Sequence, residues 1–184
     1  MESFHKISAA AILFSISVSL MAQESDPMLG QKAPTFTLND TSGKSYSLEN
    51  SRGKFVVLHI AATWCPFCNA EAPNLEKLYQ EYHEKGVDVF IIDVREEKDL
   101  VSKAFNRFNF SFPVLLDIDG AVSASYAPEG VQPALNRYEV PIASNLIIDK
   151  EGKIMFYSLL NTKAFDATLT GLREKLNELI RTHN

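Results

Sequence analysis

Two stretches of the chain are apolar at almost every position. Phe55 to Ala62 is interrupted only by His59, and Val87 to Val94 only by Asp88 and Asp93. Runs of that length, rich in Val and Ile, have the pattern of strands buried on both faces of a sheet. Around them the period changes. Phe36-Thr37-Leu38 alternates, Asn39 to Lys44 supplies turn residues around Gly43, and Ser45 to Leu48 is placed to pair back as a hairpin. Pro66 to about Lys85 has a helical pattern, with Pro73 expected to kink it and Gly86 to cap it. Glu96 to Phe108 puts Leu100, Val101, Ala104, Phe105 and Phe108 on one helical face. Pro113 to Asp117 is a short strand, Asp119-Gly120 a turn, and Ala121 to Ala127 a short helix. Pro128 to Arg137 has loop composition. Ala143 to Ile148 and Lys153 to Tyr157 form a hairpin through the Asp149-to-Gly152 turn. Phe165 to about Arg181 closes the chain as an amphipathic helix carrying Leu169, Leu172, Leu176, Leu179 and Ile180. No internal repeat is visible. This order predicts an α/β fold: a mixed central sheet flanked by helices on both faces, with an N-terminal β-hairpin extension. Its buried central strand ends at the sheet edge where open α/β folds place their sites.

The first residues stand apart from that pattern. His5 and Lys6 precede an uncharged run, Ile7 to Met21, and Ala22-Gln23 opens the polar segment Glu24-Ser25-Asp26-Pro27. That is the layout of a secretory signal peptide. The run is short beside the ~20 apolar residues a membrane span needs. The expected division is a signal peptide over residues 1–22 and one domain over 23–184. Leu20 is a poor residue three before a cut after Ala22, so an uncleaved N-terminal anchor is the alternative. No cysteine lies near the cut to carry a lipid. Either form places the domain outside the cytoplasm, in the periplasm or an equivalent compartment.

Composition narrows the partners. With 184 residues, 46% hydrophobic and 22% charged, the chain can bury a core of ordinary size. A net charge of -5 argues against nucleic acid, which calls for a basic face. Two cysteines are too few for a disulfide scaffold.

Both cysteines fall in Trp64-Cys65-Pro66-Phe67-Cys68, directly after the first apolar run and at the start of the long helix. The first turn of a helix has unpaired N–H groups and a partial positive charge. A thiolate there is stabilised, and its pKa falls from about 8.5 into the range ~3.5–7.5. The second cysteine lies one turn on, on the same face, and can close a disulfide with the first. Pro66 suits the first helical position. The competing readings are a structural disulfide and half of a zinc site. Zinc requires about four ligands, and no second cysteine pair exists. Redox chemistry without a metal or organic cofactor is the expectation. Glu71 is either an acid favourable to the helix dipole or a functional group near the thiols. His59 is either a satisfied core histidine or part of a proton relay. Trp64 is expected to pack beside the site and shield it.

These residues resemble a known family: exported thioredoxin-fold proteins of the TlpA/ResA type, overlapping the alkyl hydroperoxide reductase/thiol-specific antioxidant group. The resemblance rests on Ala33-Pro34-Thr35-Phe36-Thr37-Leu38, Gly53-Lys54, Ala62-Thr63-Trp64-Cys65-Pro66-Phe67-Cys68, Glu71, Pro73, Phe112 to Asp117, and Val140-Pro141 before Leu146-Ile147-Ile148-Asp149. It implies a thioredoxin-like fold and thiol–disulfide oxidoreductase activity on protein disulfides or dithiols. It also implies a membrane electron donor, with apocytochrome c before haem attachment among the substrates. Cys65 would be the nucleophile and Cys68 the resolving thiol. Glu71 would tune thiol ionisation and assist proton transfer. Pro141 would be a cis-proline facing the disulfide, and the Val140 backbone would pair with an extended substrate, beside Trp64, Pro66 and Phe67. Two departures stand out. The position six before Cys65, commonly Asp or Asn in such proteins, is His59, and the 128–137 loop is longer than expected.

Two other functions compete. A thiol peroxidase calls for a Pro-x-x-x-Thr-x-x-Cys pattern. Here Thr63 is two before Cys65, and Phe55 to Ala62 holds no proline. A redox-fold binding module with permanently oxidised cysteines would show no turnover with a dithiol donor.

Overall fold

The apolar run over β3 (Phe55–Ala61) becomes the centre of a five-stranded sheet. The computed structural model describes residues 28–127, 141–159 and 163–183. The signal-peptide assignment, the 128–137 loop and Val140 lie outside the described residues. β4 (Val87–Val94) and β5 (Val114–Asp117) run parallel to β3 on one side; on the other, β6 (Ser144–Ile148) runs antiparallel to β3 and β7 (Ile154–Ser158) antiparallel to β6. The strand order is therefore β5-β4-β3-β6-β7, a mixed sheet. All seven β3 residues are buried because strands and covering layers enclose it on every side.

The two faces are covered differently. α1 (Pro66–Tyr82) and α4 (Thr170–Thr182) pack one face through Leu75, Leu78, Leu172 and Leu176, and α2 (Lys98–Phe105) adds Val101 and Phe105. The other face meets one short helix, α3 (Ala121–Ser125), and mainly the N-terminal segment, through Ala33, Phe36, Leu48 and Tyr126. That segment contains the expected hairpin, β1 (Thr37–Asn39) with β2 (Ser45–Ser47), a separate two-stranded sheet. Isolated bridges tie it to both sides of the main sheet, Asp40 to Leu115 and Lys32 to Lys153.

Three boundaries differ from expectation. α4 begins at Thr170 rather than Phe165. The Asp166 carboxylate accepts the N–H groups of Thr168 (3.1 Å) and Gly171 (3.3 Å), and Leu169 adopts φ 58. An aspartate that binds its own nearby backbone this way offers the chain an alternative to helix. α2 starts at Lys98, and its last turn, Asn106 to Phe108, tightens to a 3₁₀ turn ended by Asn109 at φ 49. α1 runs from Pro66 to Tyr82, short of the expected Lys85, and includes Pro73 on its exposed side. There the carbonyl deprived of its N–H partner is within reach of water. Gly86 caps the following 3₁₀ turn at φ 81, as its position predicted.

Candidate active site

β3 delivers the chain to the sheet edge, and after four intervening residues α1 starts. Cys65 is the N-cap of α1, extended at φ -79 and ψ 113, and Pro66 occupies the first turn. Cys65 Sγ accepts the Cys68 N–H at 3.1 Å. The two residues form a disulfide with Cα atoms 5.4 Å apart. A sulfur that accepts a helix N-terminal N–H is stabilised as a thiolate once the bond opens. Both cysteines are buried, whereas Trp64 beside them is 43% exposed and Pro66 is open to solvent. Trp64 thus borders the disulfide at the rim.

The turn before Cys65 is braced from outside. The Thr63 hydroxyl donates to the Glu96 carboxylate at 2.9 Å, and the Thr63 N–H donates to the same group. Asn69 Nδ2 donates to the Thr63 carbonyl at 3.0 Å, and Arg107 donates to Asn69 Oδ1 at 2.8 Å. Charge-assisted bonds of this kind hold a loop to one geometry.

Beneath the cysteines lies a buried polar group. Glu71 follows Cys68 by three residues on the same face of α1, a spacing that puts Cβ atoms roughly 5–6 Å apart on a helix. It is 4% exposed, so it is not the solvated acid of an early helical turn. His59 and Asn145 are direct partners across the β3–β6 register. His59 Nδ1 lies 2.9 Å from Asn145 Oδ1 and 3.4 Å from Glu71 Oε2, and Asn145 Nδ2 donates to Glu71 Oε1 at 3.1 Å. Burial pushes the Glu71 carboxyl up to about 8; the Asn145 bond works against that and Asp166 with it. Burial pushes His59 down to about 4, against hydrogen bonding to Asn145 and to the Ser144 backbone. Near neutral pH the group holds an uncharged imidazole and a largely protonated carboxyl, which is how a buried acid–histidine pair avoids the cost of unsolvated charge.

Glu71 and Asn145 also line a cleft of about 210 Å³ that opens toward solvent. Its apolar walls include Phe156, Phe165, Leu169 and Leu172, and Asp166 stands at it. Phe67, between the cysteines, packs edge-on against Phe165 with centroids 4.9 Å apart. Phe67 is therefore half-buried and joins the cysteine pair to the cleft wall.

Among the expected site residues, Trp64, Cys65, Pro66, Phe67, Cys68 and Glu71 come together. Pro141 is buried in the segment entering β6, where Ser144 Oγ donates to its carbonyl at 2.6 Å. Since Ser144 is paired with Ile60, that segment lies at the same sheet edge as the cysteines. The Val140–Pro141 peptide bond includes Val140 and so falls outside the described residues. Sequence reasoning missed Asn145, Glu96, Phe165 and Asp166. Asn145 left one signal, a polar residue directly before the apolar run Leu146-Ile147-Ile148.

Comparison with known proteins agrees with this geometry. The chain resembles the thiol-disulfide oxidoreductase ResA of Bacillus cereus, with 31% identity over 149 residues, spanning 81% of this chain and 80% of the relative. A candidate protein disulfide isomerase of Bacteroides thetaiotaomicron, solved in solution, superposes with a TM-score of 0.70 at 28% identity, covering 83% of this chain and 90% of that one. A secreted Mycobacterium tuberculosis disulfide oxidoreductase homologous to E. coli DsbE superposes at 0.62 with 25% identity, covering 78% and 96%. Residues 28–172 match the Redoxin family. The chain belongs to that family, within its ResA-like thioredoxin-fold branch, and is a thiol–disulfide oxidoreductase.

Proposed function

We propose that the protein is an exported reductase of protein disulfides. The observation that carries this reading is the Glu71 carboxyl, buried one turn beyond Cys68 with its ionisation moved close to neutral pH. In the reduced protein the Cys65 thiolate, stabilised at the helix start, attacks a substrate disulfide. One substrate sulfur leaves as a thiolate, and Cys65 is held in a mixed disulfide. Cys68 then gives its proton to Glu71 in its ionised form, the minor form near neutral pH, and attacks Cys65 Sγ. The Cys65–Cys68 bond forms, the mixed disulfide breaks, and the second substrate sulfur leaves as a thiolate. The substrate gains two electrons, and a dithiol donor returns the protein to its reduced form. Glu71 matches the need because an acid near neutral pH accepts and returns a proton with little driving force lost either way.

Export rests on the N-terminal pattern and on the likeness to a protein described as secreted. Among the described residues no helix is long and apolar enough to cross a membrane, so a membrane electron donor would be a separate protein. Apocytochrome c is the substrate that the resemblance suggests.

The test is the reduction potential of the mature domain against glutathione, with substrate trapping by Cys68→Ser. A potential near that of thioredoxin, about -270 mV, supports a reductase, and one near that of DsbA, about -120 mV, overturns it. The trapped mixed disulfides identify the substrates.

A further inference from the structure

The buried polar group contains more than the proton acceptor requires. Glu71 alone, one turn from Cys68, is enough to take the thiol proton. Yet β3 and β6 each place a polar side chain against it, His59 at 0% and Asn145 at 3% exposure, in a layer otherwise built from Val57, Ala61, Leu75 and Ile147. Burying polar groups is costly unless each bond is satisfied, so the order of donors and acceptors within the group matters.

That order can be worked out from one atom. His59 Nε2 is buried with no hydrogen-bond partner. A proton there would be an unpaired buried donor, whereas a bare nitrogen is only an unused acceptor. The proton therefore sits on Nδ1. Nδ1–H donates to Asn145 Oδ1 at 2.9 Å, which turns the other end of the carboxamide, Nδ2, toward Glu71 Oε1 at 3.1 Å. The same Nδ1–H lies 3.4 Å from Glu71 Oε2. Asn145 Nδ2–H thus donates to one carboxyl oxygen, Oε1, which favours the carboxylate over the acid, while Oε2 is buried without a hydrogen-bond partner. Without the imidazole the carboxamide is free to turn over and present its oxygen to Glu71, which favours the acid.

We propose that His59 is a positioning residue for the thiol proton transfer: it locks the Asn145 carboxamide so that Glu71 faces an N–H donor, which enlarges the fraction of carboxylate able to accept the Cys68 proton. The proposal rests on the role assigned to Glu71 above. The step itself is unchanged: the proton passes from Cys68 Sγ to Glu71, and the Cys68 electron pair forms the bond to Cys65 Sγ. His59 and Asn145 exchange no proton with the substrate. The other charged and titratable groups around Glu71 are few. On α1 these are the cysteines themselves, and on β4 Asp93, fully buried and paired in register with Ala61. At the cleft it is Asp166, whose partial burial acts upward but whose bonds from Thr168 and from the Thr168, Thr170 and Gly171 backbone hold it below the ordinary range. β7 contributes Phe156 and Ser158, neither charged. Asp166 opposes ionisation of Glu71, and the Asn145 N–H donor favours it.

The test isolates the Cys68 step. The reduced protein is mixed with dithiobis(nitrobenzoate), and release of the second thionitrobenzoate, which Cys68 drives, is followed against pH. His59→Phe is expected to move the midpoint of that profile upward by about one unit, making release ~10-fold slower at pH 7, since one pKa unit is a tenfold change in the ionised fraction. Glu71→Gln removes the midpoint, and His59→Phe added to it has no further effect on the profile. If His59→Phe does not fold, Asn145→Leu, which removes the carboxamide and keeps the imidazole, is expected to produce the same upward movement. An unmoved midpoint in a folded variant overturns the proposal. So does an equal movement in the Glu71→Gln background, because the effect would then not pass through Glu71. If Glu71→Gln leaves the wild-type profile in place, the role of Glu71 fails first and this inference with it.

Discussion

The two faces of the central sheet are equally dry and chemically opposite. β3 alternates between them. Val56, Leu58 and Ile60 point toward the N-terminal segment, and Phe55, Val57, His59 and Ala61 toward α1 and α4. Leu58 and His59 are neighbours and both 0% exposed. On the far face the buried polar groups act as structural ties: Tyr126 donates to the Pro34 carbonyl at 2.6 Å, Tyr157 to the Tyr126 carbonyl at 2.9 Å, and the Asp117 carboxylate accepts the Ser123 N–H of α3 at 2.7 Å. Burial raises the Tyr126 phenol further above its ordinary value. On the near face burial acts on an acid and an imidazole, raising Glu71 to about 8 and lowering His59 to about 4. The same loss of water stabilises one face and tunes the other.

The contrast is open to experiment. The largest effect expected is on the near face: Cys65→Ser reduces dithiol-driven reduction of a protein disulfide to background, while the thermal melt stays close to wild type. On the far face, Leu58→Ala should cost about 2–5 kcal/mol in urea unfolding, the range for a fully buried Leu, and leave the rate per folded molecule unchanged. A lower rate per folded molecule would show that the two faces are coupled.

The next effect is one of pH. Burial pushes the Glu71 carboxyl of the folded protein up to about 8, above its ordinary 4.5. The folded state therefore holds the proton more tightly, and stability falls as pH rises through that window. His59, at about 4 against 6.5, has the opposite sign, and its contribution is lost as pH falls from 6.5 toward 4. The two oppose each other between about pH 4.5 and 6.5, so the Glu71 slope stands alone above that. Stability should drop by up to ~2 kcal/mol from pH 6.5 to 8, and Glu71→Gln should flatten the drop. Denaturant midpoints across that range are the check. The smallest effect concerns the outer brace: Arg107→Ala, at an exposed side chain, should change stability by no more than ~0.5 kcal/mol, a shift of ~1–2 °C in melting temperature.

Much of the fold was legible along the chain. Val87–Val94 matches its apolar run residue for residue, because Gly86 and the charged Arg95-Glu96 bound it on both sides. The redox pair was legible because its spacing is local: three residues and one helix start. The start of α4 was not. Leucine periodicity extends back to Leu169, but Asp166 holds the preceding turn to itself. Asn145 was not legible either, since its meaning depends on a partner 86 residues away.

The sequence by itself determined the order of elements, the two cysteines at a helix start, and Glu71 one turn beyond them. Each depends on short-range periodicity, capping and turn chemistry. Only the tertiary structure decided that Glu71 is buried, that His59 and Asn145 meet it, and that Phe67 packs on Phe165. Those facts come from strand register and from helix packing across a sheet, where residues far apart in the chain are brought within 3–4 Å in a medium without water. The physical reason is that ionisation depends on surroundings as well as residue type, and β3, β6, α1 and the approach to α4 supply those surroundings together.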